Sequence, residues 1–168
     1  GLWVFVWLSE YTAISVAVLA SMVVFLQIAM RRLRMETWDA PLKTIALMWW
    51  PIVIYAGWVA VAVLANLSAF FAKAGIVPGD SVMWALAMII VATAFNLALI
   101  AKRNLREHAL VAVWAFVAIA VRRWADHPTI GWFALGMSGL LFVAISVHAF
   151  KNHATLPLVG NPGATAKA

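Results

Sequence analysis

Five long runs of apolar residues, separated by charges, prolines and glycines, constrain this chain more than any other feature. They cover residues 2–30, 44–72, 81–101, 109–121 and 130–150. A helix of about 20 apolar residues spans a bilayer, and 66% of the 168 residues are hydrophobic while 11% are charged. A water-soluble domain cannot hide so much apolar surface in one core. We therefore predict an all-α polytopic membrane protein, a bundle of five transmembrane helices within residues 1–150.

The fourth run and the two ends of the chain are less regular. The fourth run is the shortest and crosses a membrane only if Arg122 and Arg123 snorkel to the interface. Residues 151–168 are rich in Pro, Gly, Ala and Thr, which predicts a polar, flexible tail on the cytoplasmic side. The chain begins with Gly1 next to an apolar run, so we expect further sequence upstream.

Basic residues lie in short tracts between the apolar runs, which is typical of membrane-flanking charge and not of a nucleic-acid-binding face. Three flank one side of the predicted bundle: Lys73, Arg122 and Arg123. Nine flank the other side: Arg31, Arg32, Arg34, Lys43, Lys102, Arg103, Arg106, Lys151 and Lys167. The positive-inside rule then places the amino terminus outside and the carboxyl terminus in the cytoplasm.

One carboxylate, Glu10, interrupts the first apolar run. With a rise of about 1.5 Å per residue, it lies about 12 Å below the outer end of its helix, and Asn66 lies about 9 Å below the outer end of the next one. An ionised carboxyl group without a partner costs several kcal/mol in hydrocarbon. We therefore predict that Glu10 faces the bundle interior at the depth of Asn66. The alternative is that the two residues merely bridge the helices through a hydrogen bond.

Aromatic residues recur on the same faces as these two polar residues. Trp3, Trp7 and Tyr11 follow helical spacing in the first run, as do Tyr55 and Trp58 in the second. If the two faces meet, they form an aromatic-walled pocket with a carboxyl and an amide group, which suits a flat amphipathic ligand. The predicted ligand-binding residues are Trp3, Trp7, Glu10, Tyr11, Tyr55, Trp58 and Asn66.

The sequence contains no catalytic or metal-binding motif, so we predict neither an enzyme nor a metal site. Cysteine is absent, which excludes disulfides and thiolate sites. There is no HExxH, glycine-rich phosphate loop or Ser–His–acid grouping. His108 and His148 lie near helix ends where haem or pigment ligation is geometrically conceivable, although solvated interfacial histidine fits the spacing better. We expect Asn96 to bond a neighbouring backbone group.

Three stretches of the chain resemble a known family: GLWVFVWLSEYTAISVAVLA, WPIVIYAGWVAVAVLANLSAFF and ALVAVWAFVAIAVRR. The family is that of the bacterial tryptophan-rich sensory proteins, which are related to the TspO/MBR translocator proteins. The resemblance covers residues 1–125. It rests on hydropathy and on these positions: Trp3, Trp7, Tyr55, Gly57, Trp58, Asn66 and Trp114. It implies a five-helix bundle, often dimeric, that holds porphyrins or sterols in an aromatic-lined cavity.

The resemblance leaves the ligand open, because the proline- and tryptophan-rich loop of the classical family pocket has no clear match here. We predict an integral membrane sensor or carrier of a bacterial inner membrane that binds a hydrophobic ligand, for which porphyrin or haem is one candidate. The alternative is an accessory structural subunit of a larger membrane complex, which would associate with pigment or haem. A homodimer or a larger complex fits both hypotheses.

Overall fold

Helices make up every regular element of the structure, a computed structural model that describes residues 2–37 and 40–151. The elements are α1 (Leu2–Leu8), α2 (Thr12–Arg32), α3 (Leu42–Thr44), a π-helical turn (Ile45–Trp49), α4 (Trp50–Lys73), α5 (Val82–Arg103), α6 (Arg106–Arg123) and α7 (Pro128–Lys151). The predicted all-α class is therefore confirmed. Of the predicted tail, residues 152–168 lie outside the described residues.

The first apolar run is broken into α1 and α2, so the prediction of one helix over residues 2–30 is wrong. Glu10 lies at the break with a left-handed φ of 58°, and its backbone N–H bonds to the Trp7 carbonyl at 3.0 Å. α1 turns back towards α2. This direction follows from the hydrogen bond that the Trp3 indole N–H donates to Ser15, a residue in the first turn of α2. The break keeps Glu10 at the exposed end of the helices, where a carboxylate stays hydrated and avoids the cost of burial in hydrocarbon.

The second apolar run passes through the π-helical turn into α4, giving 32 helical residues over Leu42–Lys73. The π-helical turn ends two residues before Pro51. Pro51 has no N–H to donate, and its ring crowds the preceding turn of the helix. A wider bond from the Trp50 N–H to the Ile45 carbonyl lets the helix continue past this proline. The whole segment is long enough to cross a membrane at a tilt.

Four helices are long and apolar enough to cross a membrane: α2, the Leu42–Lys73 helix, α5 and α7. α6 has 18 residues, four of them charged and all at its ends. It is the fifth long helix of the described part of the chain and corresponds to the shortest predicted run. By length and composition the structure therefore supports four of the five predicted spans.

The long helices alternate in direction, so the bundle has two ends. The basic end is where α2, α5 and α7 finish, and it carries Arg31, Arg103 and Lys151; the far end is the opposite one. α6 packs against α4, α5 and α7, whereas α2 packs mainly against α1 and α4. Two clusters form the core: Met30, Met35, Ile45, Trp49, Val53, Ala56, Leu99 and Leu105 near the basic end, and Ile89, Ala92, Ala112, Phe116, Ala120, Ile130, Ala134 and Leu141 between α5, α6 and α7.

α4 and α6 approach each other closely at Gly57. A Cβ atom added there would lie 2.9 Å from the His108 carbonyl oxygen and 3.0 Å from Val111 Cβ. In lipid, helix association depends on such close packing, because the surrounding acyl chains are as apolar as the helices. Because glycine has no side chain, α4 and α6 can approach this closely at Gly57.

We expect Gly57→Ala to destabilise the bundle, because the added methyl group meets the His108 carbonyl oxygen and the Val111 side chain, which move away only if the helices separate. Overpacking of this kind costs about 1–3 kcal/mol, and thermal unfolding in detergent measures it. Gly136→Ala on α7 is the matched control, since an added Cβ there meets no atom within 4 Å. Equal melting temperatures for the two variants would contradict the close contact.

Candidate functional site

Glu10 lies at the far end of the bundle and pairs with Lys73, the last residue of α4. The distance from Glu10 Oε2 to Lys73 Nζ is 2.9 Å, and the Glu10 side chain is 82% exposed. The hydrogen bond from Lys73 and its positive charge lower the pKa of Glu10. The prediction that Glu10 faces the interior beside Asn66 is therefore wrong, because the helix break takes the acid out of the apolar layer.

Asn66 instead accepts a hydrogen bond from Ser15, a residue that the sequence analysis missed. Trp3 Nε1–H donates to Ser15 Oγ at 2.7 Å, and the Ser15 hydroxyl donates to Asn66 Oδ1. Asn66 Nδ2 in turn donates to the Ala62 carbonyl at 2.9 Å. This hydrogen-bond chain joins α1, α2 and α4 and satisfies the hydroxyl and both ends of the amide.

The contact between α2 and α4 is filled by side chains and not hollow. Ser15 is 0% exposed and Asn66 4%. Trp3 stacks on Trp7 with ring centroids 6.3 Å apart, while Trp7 and Tyr11 remain exposed. Ser15 and Asn66 are therefore closed off from solvent where they meet Trp3. Ser15 itself is the sequence feature that could have predicted this contact, because a polar side chain inside an apolar run needs a hydrogen-bond partner.

Tyr55 and Trp58 lie on an exposed face of α4. The Trp58 ring meets Trp114 of α6 edge to face, with centroids 4.6 Å apart and an interplanar angle of 82°. Tyr55 is 50%, Trp58 39% and Trp114 59% exposed. Ala62 and Ala65 continue the same face of α4 at helical spacing. We call these five residues the aromatic groove.

The aromatic groove is open because the two helices beside α4 contact it on opposite sides. α4 contacts α2 through Asn66 and α6 through Gly57, positions that are half a turn apart around the helix. The face between the two contacts remains exposed. Trp58 lies about 22 Å along α4 from Lys73, well inside the apolar length of the helix. Within the described residues, none of the three aromatic side chains of the groove has a hydrogen-bond partner.

His108 near the basic end is buried, with 1% of its surface exposed, which corrects the expectation of a solvated histidine. Its Nδ1 bonds to Asn96 Oδ1 at 2.8 Å, and because this oxygen accepts, Nδ1 carries the hydrogen. Asn96 Nδ2 donates to the Ala92 carbonyl at 2.9 Å, as expected. The enclosed His108 ring offers no open side to a tetrapyrrole. No three His, Asp or Glu side chains gather to hold a metal ion within the described ranges.

Glu36, in the loop after α2, lies close to the first turn of α6. It has a left-handed φ of 57°. Its Oε1 and the Oε2 of Glu107 are buried without a hydrogen-bond partner among the described residues. Burial, and then the charge of Glu107, raise the pKa of Glu36 to about 7, while Arg106 acts in the opposite direction. The folded protein therefore keeps a proton on Glu36 at pH values where an exposed glutamate has lost it.

A comparison with protein families gives a match along most of the chain. The model of a family described as TSPO-like protein matches residues 1–147. This confirms the resemblance predicted from the three quoted stretches and extends it into α7. No curated protein and no solved structure matches the chain.

Replacing Ser15 tests the hydrogen-bond chain. Ser15→Ala leaves the Trp3 indole N–H and Asn66 Oδ1 unpaired, and we expect the free energy of unfolding to fall by about 0.5–2 kcal/mol. Denaturant titration in detergent measures this loss. Ser21→Ala on the same helix is the control, because the Ser21 hydroxyl is exposed and bonds the Val18 carbonyl of its own helix. Equal stability of the two variants would rule out a structural role for Ser15.

The raised pKa of Glu36 makes stability depend on pH. Such a group stabilises the fold below its unfolded pKa of about 4.5, and this contribution is lost as the pH rises through the folded pKa of about 7. We therefore expect the melting temperature to fall between about pH 4.5 and pH 7, and Glu36→Gln to remove this part of the fall. Glu10→Gln is the control, since the pKa of Glu10 is shifted in the opposite direction. The idea fails if Glu36→Gln and the unaltered protein have the same pH profile.

Proposed function

Because this chain belongs to the TSPO-like family, whose model matches residues 1–147, we propose that it is an integral membrane sensor or carrier that binds a flat, hydrophobic ligand in the aromatic groove. The resemblance to bacterial tryptophan-rich sensory proteins makes a porphyrin or haem the first ligand to test. The proposal includes no reaction, because the groove presents no nucleophile beside a base.

The observation that carries the proposal is the depth of three aromatic side chains with polar edges. Trp and Tyr prefer the membrane interface, where the indole N–H and the phenol hydroxyl stay hydrated. In the aromatic groove, Tyr55, Trp58 and Trp114 lie inside the apolar length of α4 and α6 without an acceptor in the described part of the chain. Unpaired polar groups in lipid cost free energy. A ligand with polar substituents would pair with them while its flat face contacts the rings.

The proposed site differs from the site predicted by the sequence. It keeps Tyr55 and Trp58 and adds Trp114, which contacts Trp58 across the α4–α6 boundary. The five other predicted residues surround α1 and the far ends of α2 and α4, and we assign them no ligand contact: Trp3, Trp7, Glu10, Tyr11 and Asn66. The small side chains of Ala62 and Ala65 leave room for a flat ring to approach the α4 backbone beside Trp58.

We also propose that α6 is a fifth span, that the amino terminus lies outside and that the membrane is a bacterial inner membrane. α6 packs against three other long helices of the bundle. At its far end, Arg122 pairs with Asp126 at 3.5 Å, and a long basic side chain can reach the hydrated interface from such a position. The basic end carries most of the Lys and Arg residues, which favours a cytoplasmic location for that end.

A second candidate function is that of a subunit in a homodimer or a larger membrane complex, in which the exposed face of α2 would contact the partner in place of lipid. α2 packs mainly against α1 and α4. It leaves a row of large apolar side chains exposed: Val24, Phe25 and Ile28. Native mass spectrometry of protein released from its own membrane separates the two functions, because it detects bound small molecules and partner chains in one measurement.

Porphyrin titration tests the aromatic groove directly. We expect the purified protein to shift the absorbance of an added porphyrin. Trp58→Leu and Trp114→Leu should each weaken binding roughly two- to tenfold, the equivalent of about 0.5–1.5 kcal/mol for the loss of an aromatic contact. The dissociation constant in detergent is the quantity to compare.

Trp132→Leu is the matched control for this titration. Trp132 is also exposed and also pairs with a second tryptophan, Trp124, at 4.9 Å, but it lies on α7 outside the aromatic groove. We expect its removal to leave porphyrin binding unchanged, as should Glu10→Gln. A loss of equal size in Trp58→Leu and Trp132→Leu would show that tryptophan content, and not the groove, determines binding.

A further inference from the structure

A cavity of about 200 Å³ lies at the far end of the bundle. It occurs where α4 and α6 end and α5 and α7 begin, which is the level of lipid headgroups for helices that cross the bilayer. Small apolar residues of α4 and α5 form part of its lining. Its polar and aromatic lining residues are Ser68, Asp80, Ser81, Trp84, Arg123 and His127.

Hydrogen bonds fix one wall of this cavity. Trp84 Nε1 donates to Ser68 Oγ at 3.0 Å, and the Ser68 hydroxyl donates to the Leu64 carbonyl at 2.9 Å. Ser81 caps α5, because its Oγ accepts the Trp84 backbone N–H at 3.3 Å. These groups are already paired, so they shape the cavity and hold the Trp84 ring in place.

Three further polar lining residues, in contrast, have no side-chain partner within the described residues. Asp80, Arg123 and the His127 imidazole have no side-chain hydrogen bond or ion pair with any other residue that the structure describes. The adjacent Arg122 does have a partner, since it forms an ion pair with Asp126 at 3.5 Å. One acid and two nitrogen-bearing side chains around a single cavity are complementary to a ligand that carries both signs of charge.

We propose that this cavity binds a phosphoethanolamine group, with its phosphate at Arg123 and His127 and its ammonium at Asp80. The volume of about 200 Å³ equals that of about seven water molecules, which suits a group of this size. A guanidinium binds phosphate through paired hydrogen bonds. Two helices begin at the cavity and two end there, so it meets both positive and negative ends of helix dipoles, which suits a ligand that carries both signs of charge.

Phosphoethanolamine occurs both as the headgroup of phosphatidylethanolamine and in soluble glycerophosphoethanolamine. The position of the cavity at the headgroup level suits the lipid. The Asp80 carboxylate distinguishes this group from an anionic headgroup without an ammonium, such as that of phosphatidylglycerol, because it would repel the second and pair with the first. The cavity shares no residue with the aromatic groove, so lipid binding at the cavity does not depend on porphyrin binding at the groove.

Native mass spectrometry of the full chain in detergent tests the site with two lipids of identical acyl chains, phosphatidylethanolamine and phosphatidylglycerol. We expect the first phosphatidylethanolamine to bind at least about tenfold more tightly than phosphatidylglycerol, and Arg123→Gln to weaken its binding at least about tenfold. Arg122→Gln is the matched control, since this neighbouring arginine pairs with Asp126 and does not line the cavity. Arg123→Lys keeps the charge but loses the paired hydrogen bonds, so we expect an affinity between those of the unaltered protein and Arg123→Gln, which separates loss of the contact from misfolding.

Asp80→Asn should abolish the preference for phosphatidylethanolamine over phosphatidylglycerol. Competition with soluble glycerophosphoethanolamine then identifies the source of the group. Displacement of the lipid supports a site for the free group as well, and lack of displacement supports a site for the lipid that also needs its acyl chains. Equal binding by Arg123→Gln and Arg122→Gln, or equal binding of the two lipids to the unaltered protein, would overturn the proposal.

Discussion

Apolar helices in a membrane gain little free energy by exchanging contacts with lipid for contacts with one another, because acyl chains are as apolar as leucine side chains. Close backbone contact and hydrogen bonds between helices must therefore hold this bundle together. Gly57 brings α4 to within backbone distance of α6. The bond from Ser15 to Asn66 joins α2 to α4, and the bond between Asn96 and His108 joins α5 to α6. The rest of the structure is arranged around these contacts.

The same constraint separates structural polar groups from candidate ligand-binding groups. The Ser15 hydroxyl and the Asn66 amide lie between helices and are paired. The polar edges of the aromatic groove and the charges of the far-end cavity lie at open surfaces and have no partner in the described part of the chain. The two sites proposed for ligands are therefore accessible positions, where polar groups can bond to a ligand from outside the bundle.

Some of the candidate site followed from helical spacing and some did not. Tyr55 and Trp58 share a face because they are three residues apart on one helix, and any uninterrupted helix would place them so. Trp114 comes from another helix, and its contact with Trp58 depends on how closely α4 and α6 pack. The prediction for Glu10 is wrong because it assumes one straight helix, in which the position along the sequence gives the depth of a residue in the membrane. The chain instead turns at Glu10.

By itself, the sequence determined that the chain is helical, that it lies in a membrane and that it resembles the TSPO-like family. Apolar run length and residue order establish these properties because they need no information about neighbouring helices. Tertiary structure decided which partner each polar side chain meets. Lys73 lies 63 residues from Glu10, and Asn66 lies 51 residues from Ser15. Helical periodicity shows which residues share a face, but the group that this face contacts depends on packing between segments far apart in the chain.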